Sequence, residues 1–155
     1  MLIVEENMLL KQSVLAQIQE RYVGKKVTDG KSQAGNWLEF TLDRAEKGEV
    51  SISLVVKKEM TNPYGHIHGG MMGLVIDETI GWAVVSLDAP VHYTSLNLNI
   101  DFLYGIKEGE TLIATARVIR EGKKIVHAEC HVTDTAGRLL AKATSNLVVT
   151  NMKIQ

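Results

Sequence analysis

The chain predicts an α+β fold in which a curled antiparallel sheet wraps one long helix. Three observations predict it. An uninterrupted apolar segment, Met71 to Val85, is too long for an ordinary strand of about 4–8 residues. Behind it, four stretches alternate apolar and polar residues in the manner of half-buried strands. Ahead of it, two more such stretches are joined by Lys47-Gly48, a turn that makes them a hairpin. A helix followed by a run of antiparallel strands leaves the sheet free to curl around the helix.

Composition narrows the class. At 155 residues, 45% hydrophobic and 23% charged, the chain reads as one globular unit with room for a proper core. A net charge of −1 offers no general attraction for nucleic acid or for an anionic membrane. A single cysteine, Cys130, makes no intrachain disulfide. The start, MLIVEENMLLKQ, lacks a basic n-region and carries Glu5 and Glu6 early, so a cytoplasmic protein without a signal peptide is expected. Asp77 and Glu78 interrupt the long apolar segment and argue against a membrane span.

Taken in order, residues 5–23 read as an amphipathic helix. Leu10, Val14 and Ile18 repeat every four residues with Leu15 beside them, and Gly24 supplies the stop. This divides the chain into an N-terminal helical extension, 1–24, and the main domain, 25–155. Lys25 to Asn36 is polar and reads as a loop. Trp37 to Asp43 alternates, with Leu38, Phe40 and Leu42 on one face. Glu49 to Lys57 does the same with Val50, Ile52, Leu54 and Val56. Pro63 then biases Asn62 to an extended conformation at the start of a polar loop.

The apolar segment that follows is expected to be a core helix, apolar nearly all round, on length and against the propensity of its β-branched residues. After the turn Asp88-Ala89-Pro90, Tyr93 to Phe102 predicts one strand. Thr94, Leu96, Leu98, Ile100 and Phe102 face one way, and Ser95, Asn97, Asn99 and Asp101 the other. Strands at about 110–120, 123–134 and 138–149 complete the sheet. Val126, Ala128, Cys130 and Val132 share its core face.

The candidate site lies on the long helix. A carboxylate in the densest apolar run of a chain costs free energy unless something compensates it, so Asp77 marks a site. Its helical neighbours include Gly73 and Gly81, and Gly70 lies two turns back on the same face. Each glycine costs the helix about 0.5–1 kcal/mol relative to alanine, which close approach of a backbone or a ligand would offset. His68-Gly69-Gly70 opens the helix, where first-turn N–H groups lack intrahelical acceptors and carry the positive end of the dipole. These amides could hold a developing oxyanion. Gly69 precedes Asp77 by eight residues, roughly 12 Å along the axis. One chain therefore cannot bring both to the same carbonyl, and a shared reaction predicts an obligate homodimer. Glu78, turned about 100° from Asp77, is expected to be a solvated or salt-bridged neighbour. His66-x-His68 has no cysteine or acid at zinc-like spacing, so no metal is expected. Met71 and Met72 read as core fillers that could also line a ligand pocket.

Asn62, His68-Gly69-Gly70 and Asp77, seven positions after Gly70, resemble the signature of the hotdog-fold acyl-CoA thioesterases of the PaaI/THEM2 type. The similarity runs from about residue 48 to 150 and includes the Thr94–Ile100 stretch and Gly137-Arg138-Leu139-Leu140-Ala141. The resemblance implies a single hotdog domain that hydrolyses a CoA thioester without metal or cofactor, at two sites shared across a homodimer. Pairing of dimers into a homotetramer is expected. It assigns Asp77 to attack on the thioester or activation of water, the Gly69 amide to the oxyanion hole, and Asn62 and His68 to placing thioester and water. Ser95 matches a water-orienting serine of some members, and Gly70, Met71, Gly73 and Gly81 would line the substrate. Gly105 departs from the family, where proline is common, and an effect on the local turn is expected. An acyl-CoA-binding protein without hydrolytic activity and a hotdog hydratase or dehydratase are the alternatives.

Overall fold

The computed structural model describes residues 12–153. Of the helix expected over 5–23, the described residues show α1, Val14–Tyr22, which starts later than expected, at Val14; Leu10 lies outside the described residues. Ser13 caps it, its hydroxyl accepting from the Ala16 N–H at 3.1 Å.

The loop expected up to Asn36 and the strand expected from Trp37 are both corrected. Gln33–Leu38 forms a short helix, α2. Ser32 caps it by accepting from the Gly35 N–H at 3.0 Å, and Glu39, at φ 53°, ends it in the left-handed region. Gly35 and Asn36 are poor helix formers, and tertiary contact overrides their propensity. The Gly35 backbone lies against the Glu78 side chain so closely that a Cβ there would overlap it.

The sheet then begins. Strands β1 (Thr41–Glu46) and β2 (Glu49–Val55) form the expected hairpin, with Gly48 at φ 76° in its turn. A short 3-10 turn, Lys58–Met60, leads to the loop before helix α3, Gly69–Val85. Strands β3 (His92–Ser95), β4 (Asn99–Phe102), β5 (Thr111–Glu121), β6 (Ile125–Asp134) and β7 (Leu139–Thr150) follow. The order across the sheet is β1-β2-β5-β6-β7-β3, with β4 also on β7, and every pair is antiparallel. The sheet curls around α3 as the sequence predicts.

The concave face explains how the helix fits. Ala114, Ala116, Ala128, Cys130 and Ala141 are fully buried on the central strands, and these small side chains let α3 lie close. Larger residues, Phe40, Leu42, Ile52 and Leu112, fill the margins. From the helix come Met72, Val75, Ile76, Thr79, Ile80 and Ala83, all buried. Each fully buried valine, leucine or isoleucine contributes about 1.5–3 kcal/mol. The helix is not enclosed all round, however. Gly70 and Asp77 are exposed, and Val85 is 52% exposed. One face of α3 therefore stays open, because the sheet covers only the other.

The single strand expected at Tyr93–Phe102 is two strands on one partner. From Ser95 to Asn99 the chain advances four residues while β7 advances three, from Leu147 to Thr144. The extra residue is a bulge, and it switches which alternate residues face the helix. Asn97 anchors it, its Oδ1 accepting from the Asn146 N–H at 2.8 Å and its carbonyl accepting from the Ser145 hydroxyl at 2.8 Å. Ser95 thus shares the helix side with Tyr93, Leu98 and Ile100, whereas Leu96 is 60% exposed. Among the described residues, no helix is long and apolar enough to cross a membrane.

Candidate active site

The loop before α3 is built by Asn62. Its Oδ1 accepts from the Tyr64 N–H at 2.9 Å and the His66 N–H at 3.2 Å. Its own N–H donates to the His66 carbonyl at 2.7 Å, and its carbonyl accepts from the Gly65 N–H at 3.0 Å. Gly65 takes φ 79°, which glycine adopts without strain. This is the local work of an Asn-Pro turn. The Ile67 N–H donates to the Ile106 carbonyl at 2.8 Å and the His68 N–H to the Met60 carbonyl at 2.7 Å, so the loop is pinned on both sides. The Gly105 departure has a cause here. A Cβ at Gly105 would lie 2.8 Å from the His66 ring, so the imidazole occupies the space that a proline would need.

His68 caps α3. Its Nδ1 accepts from the Gly70 N–H at 2.9 Å, which places the proton of the neutral ring on Nε2. Its carbonyl accepts from the Met71 and Met72 N–H groups at 2.9 and 3.0 Å. Of the first-turn amides, this leaves the Gly69 N–H without an acceptor among the described residues. The Phe102 ring packs over Gly69, 3.4 Å from where a Cβ would stand.

Asp77 sits two turns further along, on the open face. It is exposed in the single chain, not enclosed as the apolar run suggests. The Ser95 hydroxyl donates to its Oδ1 at 3.2 Å. The bulge between β3 and β4 makes this contact possible by turning Ser95 toward the helix. Gly73 meets Ile100 at ordinary contact distance, and Gly81 has open space within 4 Å of a would-be Cβ. Met71 is half-buried against the core.

Glu78 corrects another expectation. It is half-buried and, among the described residues, held by hydrogen bonds rather than by an ion pair. Its Oε2 accepts from the Ser32 hydroxyl at 2.9 Å and its Oε1 from the Trp82 indole N–H at 3.1 Å. Burial pushes its carboxyl above the ordinary glutamate range, the two hydrogen bonds opposing that shift. Trp82 in turn meets Tyr22 and Phe40 edge-on, with ring centroids 5.2 and 5.9 Å away. The i,i+4 spacing of Glu78 and Trp82 was visible in the sequence, while Ser32, Tyr22 and Phe102 carried no local signal toward this site.

Along one chain, then, the helix start holds Gly69, His68 and Asn62, and the helix middle holds Asp77 with Ser95. The free Gly69 amide of the first group can stabilise negative charge on a carbonyl oxygen. The second offers an available carboxylate with one oriented hydroxyl.

Comparison with known proteins identifies the family. The family model described as thioesterase superfamily matches residues 64–141. The chain is 30% identical to acyl-coenzyme A thioesterase 13 of Homo sapiens over 104 residues, covering 66% of this chain and 74% of the relative. A Streptococcus mutans UA159 protein whose crystal structure holds acetyl CoA is 29% identical, with a TM-score of 0.68 over 72% of this chain and 88% of the other. The PaaI protein of E. coli superposes with a TM-score of 0.74 at 21% identity, over 80% and 88% of the two chains, a likeness of fold. With the family model covering half of the chain, including α3 and the strands from β3 to β6, the chain belongs to the thioesterase superfamily, as a hotdog-fold thioester hydrolase.

Proposed function

We propose that the protein hydrolyses acyl-CoA thioesters at sites shared between two copies of the chain. The observation that carries this reading is an exposed Asp77 carboxylate, held by Ser95 on an apolar helix face, eight residues beyond a free Gly69 amide. The name of the human relative, acyl-coenzyme A thioesterase 13, supports CoA as the leaving group.

The thioester carbonyl rests on the Gly69 N–H, where the helix dipole adds to the stabilisation of the tetrahedral oxyanion. Asp77 of the facing copy then acts in one of two ways. It attacks the carbonyl carbon, expelling the CoA thiolate and leaving an anhydride that water cleaves, or it removes a proton from the attacking water. Ser95 orients that carboxylate or its water. His68 presents Nε2–H toward the thioester, and Asn62 acts by holding the loop that aims His68 and Gly69. Gly70, Met71, Gly73 and Gly81 line the path of the substrate along the helix.

The spacing of roughly 12 Å between Gly69 and Asp77 requires the second copy. The sheet edge formed by β3 and β4 supports it, since Leu96, Phe102, Leu103 and Tyr104 are between 47% and 60% exposed there. Thiol release from a panel of acyl- and aryl-CoA thioesters tests the reading, with wild type and Asp77→Asn side by side. Wild-type turnover that Asp77→Asn abolishes supports both activity and residue. An Asp77→Asn protein at full rate removes Asp77 from the chemistry.

A further inference from the structure

A cavity of about 420 Å³ lies between α1 and the outer flank of α3. Its walls are mainly apolar, from Val14, Ile18 and Tyr22 of α1 and Trp82 and Val85 of α3 beside Gly81, with Gln17, Arg21 and Lys31 also on the lining. Gly81 stands one helical turn beyond Asp77 on the same face, and nothing in the chain lies within 4 Å of its would-be Cβ. The surface therefore opens from Asp77 across Gly81 and toward Val85, roughly 12 Å along the helix. Glu78 holds the far wall together, tying Ser32 and the segment before α2 to α3.

We propose that this cavity receives the distal part of the acyl chain whose thioester carbonyl lies at Asp77, so that α1 sets the acyl length the enzyme prefers. The proposal rests on the thioesterase reading above. A thioester has two arms, and the apolar part of the walls favours one of them. Pantetheine carries amides that lose water and need partners on burial. The walls offered by Ile18, Tyr22, Trp82 and Val85 suit methylenes. The CoA phosphates keep their hydration if that arm runs the other way. The absence of a side chain at Gly81 is then functional, since a larger residue there would close the path between carboxylate and cavity.

Chain-length profiles test this. Thiol release is measured for straight-chain acyl-CoA thioesters from acetyl to myristoyl, with wild type, Val14→Phe and Val14→Ala. Val14 is half-buried near the start of α1, and thermal melts verify that both variants fold. In wild type, kcat/KM rises about fourfold per methylene until the cavity is filled, then levels off. Val14→Phe moves the plateau to shorter chains and lowers the decanoyl-to-butyryl ratio by about tenfold or more, and Val14→Ala moves it to longer chains. Profiles unchanged in both variants, or a uniform loss at every length, overturn the cavity assignment and leave the thioesterase reading standing. No thiol release from any thioester overturns both.

Discussion

Two adjacent carboxylates on one helix have opposite surroundings. Asp77 faces the open side of α3 and accepts one hydrogen bond, from Ser95. Glu78 faces the N-terminal segment, half-buried, with each oxygen accepting one, from Ser32 and from Trp82. A rotation of about 100° between neighbouring residues separates them. The contrast shows how a fold assigns roles to like residues. The carboxylate left free to meet a substrate is available for chemistry, and the one already satisfied by its own chain is committed to architecture.

The strongest way to break this contrast is to exchange the effects of the two acids. Asp77→Asn should lower kcat for thiol release by about a thousandfold or more, on the order of 4 kcal/mol in the barrier, with little change in thermal stability. Glu78→Gln should stay within about tenfold of wild type in the same assay. If Glu78→Gln proves the more damaging to kcat, the assignment is reversed.

Stability should show the mirror image. Glu78→Ala removes the acceptor for two donors and the support of α2, and should destabilise by about 1–3 kcal/mol in urea unfolding. Asp77→Ala should stay within about 0.5 kcal/mol of wild type, as expected of an exposed site. Ser95→Ala sharpens the catalytic side. Loss of one hydrogen bond to Asp77 should reduce kcat about tenfold, close to 1.4 kcal/mol, without moving the unfolding midpoint.

The smallest effect is one of pH. Burial raises the Glu78 carboxyl in the folded chain, so the folded state keeps its proton at pH values where the unfolded state has lost it. Stability from this group is fullest below the unfolded glutamate value of about 4.3 and falls as pH rises toward the raised one. Unfolding free energies measured across that window should decline in wild type and flatten in Glu78→Gln. An identical slope in both would show that Glu78 titrates as an ordinary surface acid.

Particular residues show where local pattern sufficed. Val50, Ile52, Leu54 and Val56 alternate because their strand buries one face, and all four are buried. The run Met71 to Val85 is helical because its length excludes a strand, even though its β-branched residues disfavour a helix. His68-Gly69-Gly70 marks the helix start because capping is a local interaction, and the cap is made within two residues. Other features were not legible because they depend on partners distant in sequence. Ser32 reaches Glu78 across 46 positions, and the face presented by Ser95 depends on a bulge set by its pairing with β7.

By itself, then, the amino-acid sequence determined the α+β class, the central helix, its N-terminal amides and the acid two turns beyond them. Those follow from periodicity, capping and rise per residue, which act over a few positions. Only the tertiary structure decided that Ser95 rather than Leu96 looks at the helix. It alone decided which of the two acids is tied to the N-terminal segment. Those outcomes depend on hydrogen bonds and packing between elements, and that choice is made only when the sheet and the N-terminal segment close on opposite flanks of α3.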